Sequence, residues 1–293
     1  MRRHKDNTVK KIISTVVIVA IVGLCSLSEG VFKTSDSASK GGYATESNQR
    51  ELLEEAMDTV SYELPLVKSN DYIIYRKGYT VCYNTKTKQP NWVAWQLYPS
   101  RLEENVPRSQ NFYEDESVPE PRATLADYKK SGYDRGHMCP AGDNRCSMVF
   151  MRESFLLTNI CPQNHSLNAG DWNELESLCR YWAKSYKKIY ICCGPIFYKN
   201  SSKTIGENEV AVPDAFFKVV LALGDKPKAI GFIMKNIPCD NPLSTYVNSV
   251  DEVERITGLD LFSKLDESTE KSLEQNANVG DWAKIARITD KNN

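Results

Sequence analysis

With 293 residues, 41% of them hydrophobic and 10% aromatic, the chain has material for one large core or two small ones, which excludes an intrinsically disordered protein. Lys and Arg number 37 against 38 Asp and Glu, a formal net charge of −1. A polyanion binder working through overall basic charge is therefore disfavoured, and only a local basic groove is allowed.

The first 28 residues carry Arg2, Arg3, Lys5, Lys10 and Lys11 ahead of the uncharged run "IISTVVIVAIVGLCSL". That pattern reads as an export signal, with small residues in "SLS" (26–28) placed for cleavage. The run is shorter than the roughly 20 apolar residues of a membrane span, yet an uncleaved N-terminal anchor or a lipid on Cys25 stays open. The expected location is accordingly outside the cytoplasm: secreted, periplasmic or membrane-anchored, with a possible membrane tether at the N-terminus. Without residues 1–28 the chain keeps 32 basic and 37 acidic residues, five and one fewer than the whole. Residues 29–55 open on a Ser-, Gly- and Thr-rich stretch and read as a flexible linker. Residues 56–290 read as one domain.

Within it, 79–97 has two β-prone runs around a polar "TKTKQP" turn and reads as a hairpin. Further strands are expected at 155–163, 188–198, 215–224 and 228–236. A helix is expected over 168–186, where Trp172, Leu175, Cys179 and Trp182 form one apolar stripe. A second spans 249–258, with Ser249 and Glu252 in capping-box spacing and Gly258 at its end. The fold class is α+β, a mixed, mainly antiparallel sheet with flanking helices. Eight cysteines follow the leader, an even number that makes one or two disulfides plausible among buried thiols. No Cys-x-x-Cys pair occurs, which argues against zinc.

The chemistry-bearing stretch is "SGYDRGHMCPAGDNRCSM" (131–148), whose His137 is one of three histidines in the chain. It is followed in order by Asn159 in "LTNICPQ", then Asn168 and Glu176 in "LNAGDWNELE". This ordered set resembles the DNA/RNA non-specific endonuclease family of the ββα-metal superfamily, in which an Asp-Arg-Gly-His segment faces a metal-binding Asn on a helix. The likeness runs over roughly residues 60–265 and includes "YELP" (62–65), "KQPNWVAWQL" (88–97), "VAVPDAFFKVV" (210–220) and "ITGLDLF" (256–262).

The resemblance implies an endonuclease that hydrolyses DNA and RNA with little sequence preference, leaves 5′-phosphates and uses Mg²⁺, with Mn²⁺ or another divalent cation able to substitute. It assigns metal binding to Asn168 alone, with the remaining coordination left to water and phosphate. It gives Glu176 the orienting of metal-bound water, Asn159 a supporting place in the metal-water network and among the substrate-binding residues, and Arg108 in "PRSQNFYED" a phosphate contact.

Residue chemistry agrees with that set. An imidazole with an ordinary pKa of about 6.5 can accept the proton of an attacking water. Arg135, two residues from His137, shares a face with it in extended chain and suits a phosphate oxygen. An Asn amide oxygen suits a hard cation and leaves its charge for the phosphate. Asp134 is expected as a structural hydrogen-bond acceptor and His165 as a loop residue. Only neutral His137 can act as base, so the rate should rise with pH through its pKa. Arg135 and metal would lower that pKa and carboxylates would raise it, so its direction stays open. Two alternatives remain: a catalytically silent nucleic-acid-binding or interaction module on the same scaffold, and a Cys/His hydrolase using Cys139.

Overall fold

The structure, a computed structural model, describes residues 60–199 and 201–283. The expected leader and linker, and the last residues of the expected domain, lie outside them.

Eleven strands follow in chain order: β1 (Tyr72–Tyr75), β2 (Thr80–Asn84), β3 (Gln89–Leu97), β4 (Asp134–His137), β5 (Ile160–Gln163), β6 (Ile189–Ile196), β7 (Thr204–Ile205), β8 (Val210–Ala211), β9 (Ala215–Ala222), β10 (Lys228–Lys235) and β11 (Val247–Asn248). Seven of them form one antiparallel sheet in the order β1-β2-β3-β6-β9-β10-β11, while β4-β5 and β7-β8 are separate two-stranded ribbons. This is the mainly antiparallel α+β architecture expected. The 79–97 hairpin is β2-β3, and the strands expected from 188 onward are β6, β9 and β10.

The central strands read as unbroken apolar runs because both faces of the sheet are covered. Val93, Trp95, Ile191, Cys193, Phe216 and Val220 face one layer, where the helix Asp171–Tyr186 presents Trp172, Leu175, Cys179 and Trp182. Trp92, Ala94, Tyr190, Cys192, Phe217, Val219 and Leu221 face the other, closed by Val250, Val253, Leu261 and Phe262. The helix Val250–Thr257 starts as expected, with the Ser249 side chain accepting from the Glu252 N–H at 3.1 Å.

Three expectations are corrected. The 168–186 helix is two helices, His165–Ala169 and Asp171–Tyr186, parted at Gly170 (φ −101°, ψ −110°). A Cβ at Gly170 would lie 2.5 Å from the Ser166 carbonyl oxygen, so only glycine permits this bend. The 155–163 strand shortens to β5, because Phe155 and Leu157 exchange backbone hydrogen bonds with Tyr113 (3.0 and 2.8 Å) after the helix Met148–Ser154. Finally, all eight cysteines of the described residues are free thiols. Adjacent Cys192 and Cys193 point to opposite faces of the sheet, so the pair cannot gather into one bridge cluster. Among the described residues no helix is long and apolar enough to cross a membrane.

Candidate active site

The site is assembled on the β4-β5 ribbon and the short helix that follows it. Asp134 pairs with Gln163 and His137 with Ile160, and a single residue, Asn164, separates β5 from the helix His165–Ala169. The Asn164 side chain caps that helix, accepting from the Ser166 N–H at 3.0 Å. Its own N–H donates to Asn236 Oδ1 at 2.7 Å, and the Asn236 amide donates to the carbonyls of Pro162 (3.1 Å) and Pro213 (2.9 Å). One buried asparagine thereby fixes the turn against the end of the main sheet. Close packing of the ribbon requires Gly136: a Cβ there would lie 2.6 Å from Gln163 Cβ and still nearer its Oε1.

The turn folds the helix back beside β4. Asn168 Nδ2 donates to Asp134 Oδ2 at 2.9 Å, and His165 Nδ1 lies 2.8 Å from the same oxygen. Asp134 is thus the structural acceptor expected of it, and His165 is the exposed first residue of a helix rather than part of a loop. Because the Asn168 amide nitrogen is committed to Asp134, its carbonyl oxygen is the atom left for a cation.

His137 is 8% exposed, its ring 5.3 Å from that of Phe112 and 4.8 Å from that of Phe155. Its Nε2 is buried without a protein partner. Burial first, then the charges of Arg108 and Arg135, push its pKa down to about 3, so the imidazole is neutral at physiological pH. The two arginines lie over the same aromatic pair, Arg135 at 4.4 Å from the Phe112 ring centre and Arg108 at 5.4 Å from that of Phe155. Arg135 and Asn168 both line an open groove of about 570 Å³, together with Phe112, Tyr133, Lys129 and Lys130. This is the local basic surface that an acidic protein needs if it is to meet a polyanion.

Glu176 projects from the helix Asp171–Tyr186 with its side chain 12% exposed and Arg180 Nη1 3.9 Å away. Burial pushes its pKa up to about 7, against the opposing pull of Lys218 and Arg180. Lys218 is itself 1% exposed, with Nζ 4.3 Å from the Trp172 ring centre and 5.3 Å from that of Trp95. Asp143 completes the set, accepting from Trp95 Nε1 and Arg180 Nη1, both at 3.1 Å.

Asn159 does not reach the groove, which corrects the expectation that it meets substrate or the metal-water network. It is fully buried; its Oδ1 accepts from the Cys139 N–H at 2.9 Å and its Nδ2 donates to the carbonyls of Cys139 and Ser154, both at 2.8 Å. All its polar atoms are spent on backbone, and what they hold is the segment just after His137. Cys139 fares no better as a nucleophile: its buried thiol has a pKa pushed up to about 12, and its sulfur accepts from Asn144 Nδ2 at 3.3 Å.

Phe112, Phe155, Arg180 and Lys218 are the site residues that sequence reasoning missed. Arg180 carried a readable signal, four residues after Glu176 on one helix, as did Lys218, a lone charge inside the apolar run "AFFKVVL". The two phenylalanines come from segments remote in sequence and carried none.

The model of the DNA/RNA non-specific endonuclease family matches residues 57–268. Endonuclease G of human mitochondria is 38% identical over 199 residues, covering 63% of this chain and 67% of its own. Nuclease C1 of Cunninghamella echinulata var. echinulata is 36% identical over 211 residues, covering 66% and 84%. A chain of the solved EndoG/EndoGI complex, reported for its mechanism of EndoG inhibition, superposes with a TM-score of 0.65 at 31% identity, covering 76% of this chain and 95% of that one. A match of this extent, over residues that include β4, the short helix and the groove between them, shows that the chain belongs to the DNA/RNA non-specific endonucleases, metal-dependent enzymes that cut both nucleic acids.

Proposed function

We propose that His137, Arg135, Arg108, Asn168 and Glu176 carry the hydrolysis, with Mg²⁺ as the working cation and 5′-phosphate ends as product. The observation that carries this reading is the double commitment around Asp134 and the groove. Asp134 ties the Asn168 nitrogen to the strand bearing His137, and Asn168 shares the groove with Arg135. A neutral amide oxygen with the rest of the shell open suits Mg²⁺, which keeps several waters and is completed by substrate phosphate. A cation held there would offset negative charge on the phosphate and the leaving oxygen.

The chain's own groups do the rest. His137, held neutral by burial and by two arginines, takes a proton from the attacking water. Arg135 and Arg108 hold the phosphate from the aromatic shelf of Phe112 and Phe155. Glu176, whose carboxylate a nearby cation would favour, would orient water, with Arg180 3.9 Å away as its ion-pair neighbour. Contacts centred on phosphate carry no base identity, so sequence preference is weak. The test uses purified protein with circular plasmid and with RNA, in Mg²⁺ and in EDTA, beside His137→Ala. Cleavage of both substrates that EDTA and the substitution abolish is expected; cleavage surviving either one overturns the assignment of that group.

We further infer that residues 1–28 direct export or form an N-terminal anchor and that 29–55 tether the catalytic domain. What supports it is the basic start, the sixteen-residue uncharged run and the Ser/Gly/Thr-rich stretch after it. The human relative bears a mitochondrial name, so cell fractionation with mass of the mature N-terminus is the deciding measurement: recovery of uncleaved protein in the cytosol ends the export reading.

A further inference from the structure

On the face of the main sheet opposite the His137 strand, the helices Val250–Thr257 and Glu267–Glu274 pack on each other above Val250, Val253, Leu261 and Phe262. Three carboxylates meet between them. Asp251 and Glu254 lie one turn apart on the first helix, Glu274 ends the second, and one oxygen from each lies within 4.8 Å of the other two. Such a cluster alone is unremarkable. What sets it apart is Glu274, which is 6% exposed, with an Oε1 that is shielded from solvent and has no hydrogen-bond donor. A buried carboxylate oxygen left without any partner is costly.

Among the described residues no donor answers it. Burial first, then the like charges of Glu254, Glu270, Asp251 and Asp260, push the pKa of Glu274 up to about 8. Two cations of the region are engaged elsewhere: Arg255 forks onto Glu252 through two 2.7 Å hydrogen bonds, and Lys68 Nζ donates to the Gly258 carbonyl at 3.3 Å. Glu254 is also held in place, its Oε1 accepting from the Leu261 N–H at 2.6 Å.

We propose that Asp251, Glu254 and Glu274 form a second divalent-cation site that prefers Ca²⁺ and ties the two C-terminal helices together. Oxygens sharing one Ca²⁺ at about 2.3–2.6 Å lie no more than about 5 Å apart, so the spacing is already that of a ligand set. Ca²⁺ tolerates an irregular shell of carboxylates and waters, whereas Mg²⁺ demands a near-ideal octahedron at about 2.0–2.1 Å and sheds water reluctantly. With only three protein ligands the affinity expected is modest, a Kd on the order of 10⁻⁴–10⁻³ M. Glu274 lies beyond the residues matched by the family, 57–268, and the cluster lies across the sheet from the groove, so the site acts on stability and not on the chemical step.

The experiment compares thermal unfolding of the metal-stripped full chain and of Glu274→Gln at pH 8.5, each titrated with Ca²⁺ and separately with Mg²⁺. The catalytic groove is common to both proteins, so the difference between them reports the new site. The wild type should gain about 3–6 °C at tenfold over the Kd, with less gain from Mg²⁺, and the variant should lose that increment. In EDTA the variant should melt no lower than the wild type, because it keeps the side chain's shape and removes a negative charge. Should Glu274→Gln fail to fold, Asp251→Asn on the exposed side of the cluster gives the same comparison. Equal Ca²⁺ responses in wild type and variant, or no Ca²⁺ response beyond that of Mg²⁺, would overturn the proposal.

Discussion

The seven-stranded sheet and the β4-β5 ribbon are built on opposite principles. In the sheet, β6 and β9 bury all their residues, the side chains alternate between two apolar layers, and the register runs without interruption from Ile196↔Ala215 to Tyr190↔Leu221. In the ribbon, two four-residue strands hold three buried polar atoms without a protein partner, His137 Nε2 and both amide atoms of Gln163. Orphaned polar groups cost stability, and a two-stranded ribbon cannot offset that cost alone. The sheet supplies the stability and the ribbon uses it to keep a neutral, buried imidazole close to the groove that Asn168 and Arg135 line. Apart from Lys218, the β9 residue beside Glu176, substitutions should therefore divide, activity more than stability in the ribbon and stability more than activity in the sheet.

The sharpest break is His137→Ala, which removes the base and should lower the turnover rate by roughly 10²- to 10⁴-fold while leaving the melting temperature near that of the wild type. Single-turnover cleavage of plasmid measures it, and near-normal cleavage would end the assignment. The reciprocal substitution is Leu221→Ala in β9, fully buried against Val250 and its neighbours. It should cost about 2–5 kcal/mol in denaturant unfolding with activity per folded molecule unchanged. A parallel loss of activity at a temperature where the variant remains folded would show that sheet and ribbon are not separable.

A smaller effect tests the joint between them. Asp134→Ala frees the Asn168 amide to turn and should weaken Mg²⁺ dependence or activity by about 10- to 100-fold, the usual cost of losing a group that orients a metal ligand. Asp134→Asn, which keeps an acceptor oxygen, should recover part of that loss. If Asp134→Ala binds and uses Mg²⁺ normally, Asn168 is not the residue that Asp134 positions.

How far the sequence anticipates this follows from the same contrast. Period-two and period-3.6 patterns are local, so β2-β3, β6, β9, β10 and the helix after Ser249 are all readable. Gly170 is not, because Asn168, Trp172 and Leu175 continue a helical rhythm straight across a bend that a close approach to the Ser166 carbonyl imposes. The motif singles out His137, Arg135 and Asn168 as candidates by type and order, yet says nothing of how each is satisfied. Asn159 shows the consequence: an asparagine that suits a metal-water network by type is consumed by the backbone of Cys139 and Ser154. Phe112 and Phe155, which wall in His137, are set by long-range packing that no local pattern encodes.

The pH profile depends on the same buried groups, and here the structure answers a question of sign. His137 shifts downward, to about 3, through burial and then Arg108 and Arg135, so it stays neutral from pH 5 to 8 and any loss of rate in that window belongs to another group. Glu176, proposed above to orient water, is the group expected to carry it. Burial raises it to about 7, and its orienting role needs the carboxylate, so at subsaturating Mg²⁺ the rate should fall roughly tenfold per unit below the midpoint, the slope of a single proton. A bound cation favours the ionised form, so raising Mg²⁺ should move the midpoint down. Glu176→Gln should give a low but flat profile through the same range. Stability must be followed alongside, because the two groups act in opposite directions. The depressed His137 contributes stability above about 6.5 that is lost as the pH falls toward 3, whereas the raised Glu176 contributes stability below about 4.5 that is lost as the pH rises through 7. Circular dichroism at each pH separates unfolding from titration. If the folded wild type and folded Glu176→Gln share one midpoint, the limb does not belong to Glu176, and the ionising group must be sought elsewhere in the site.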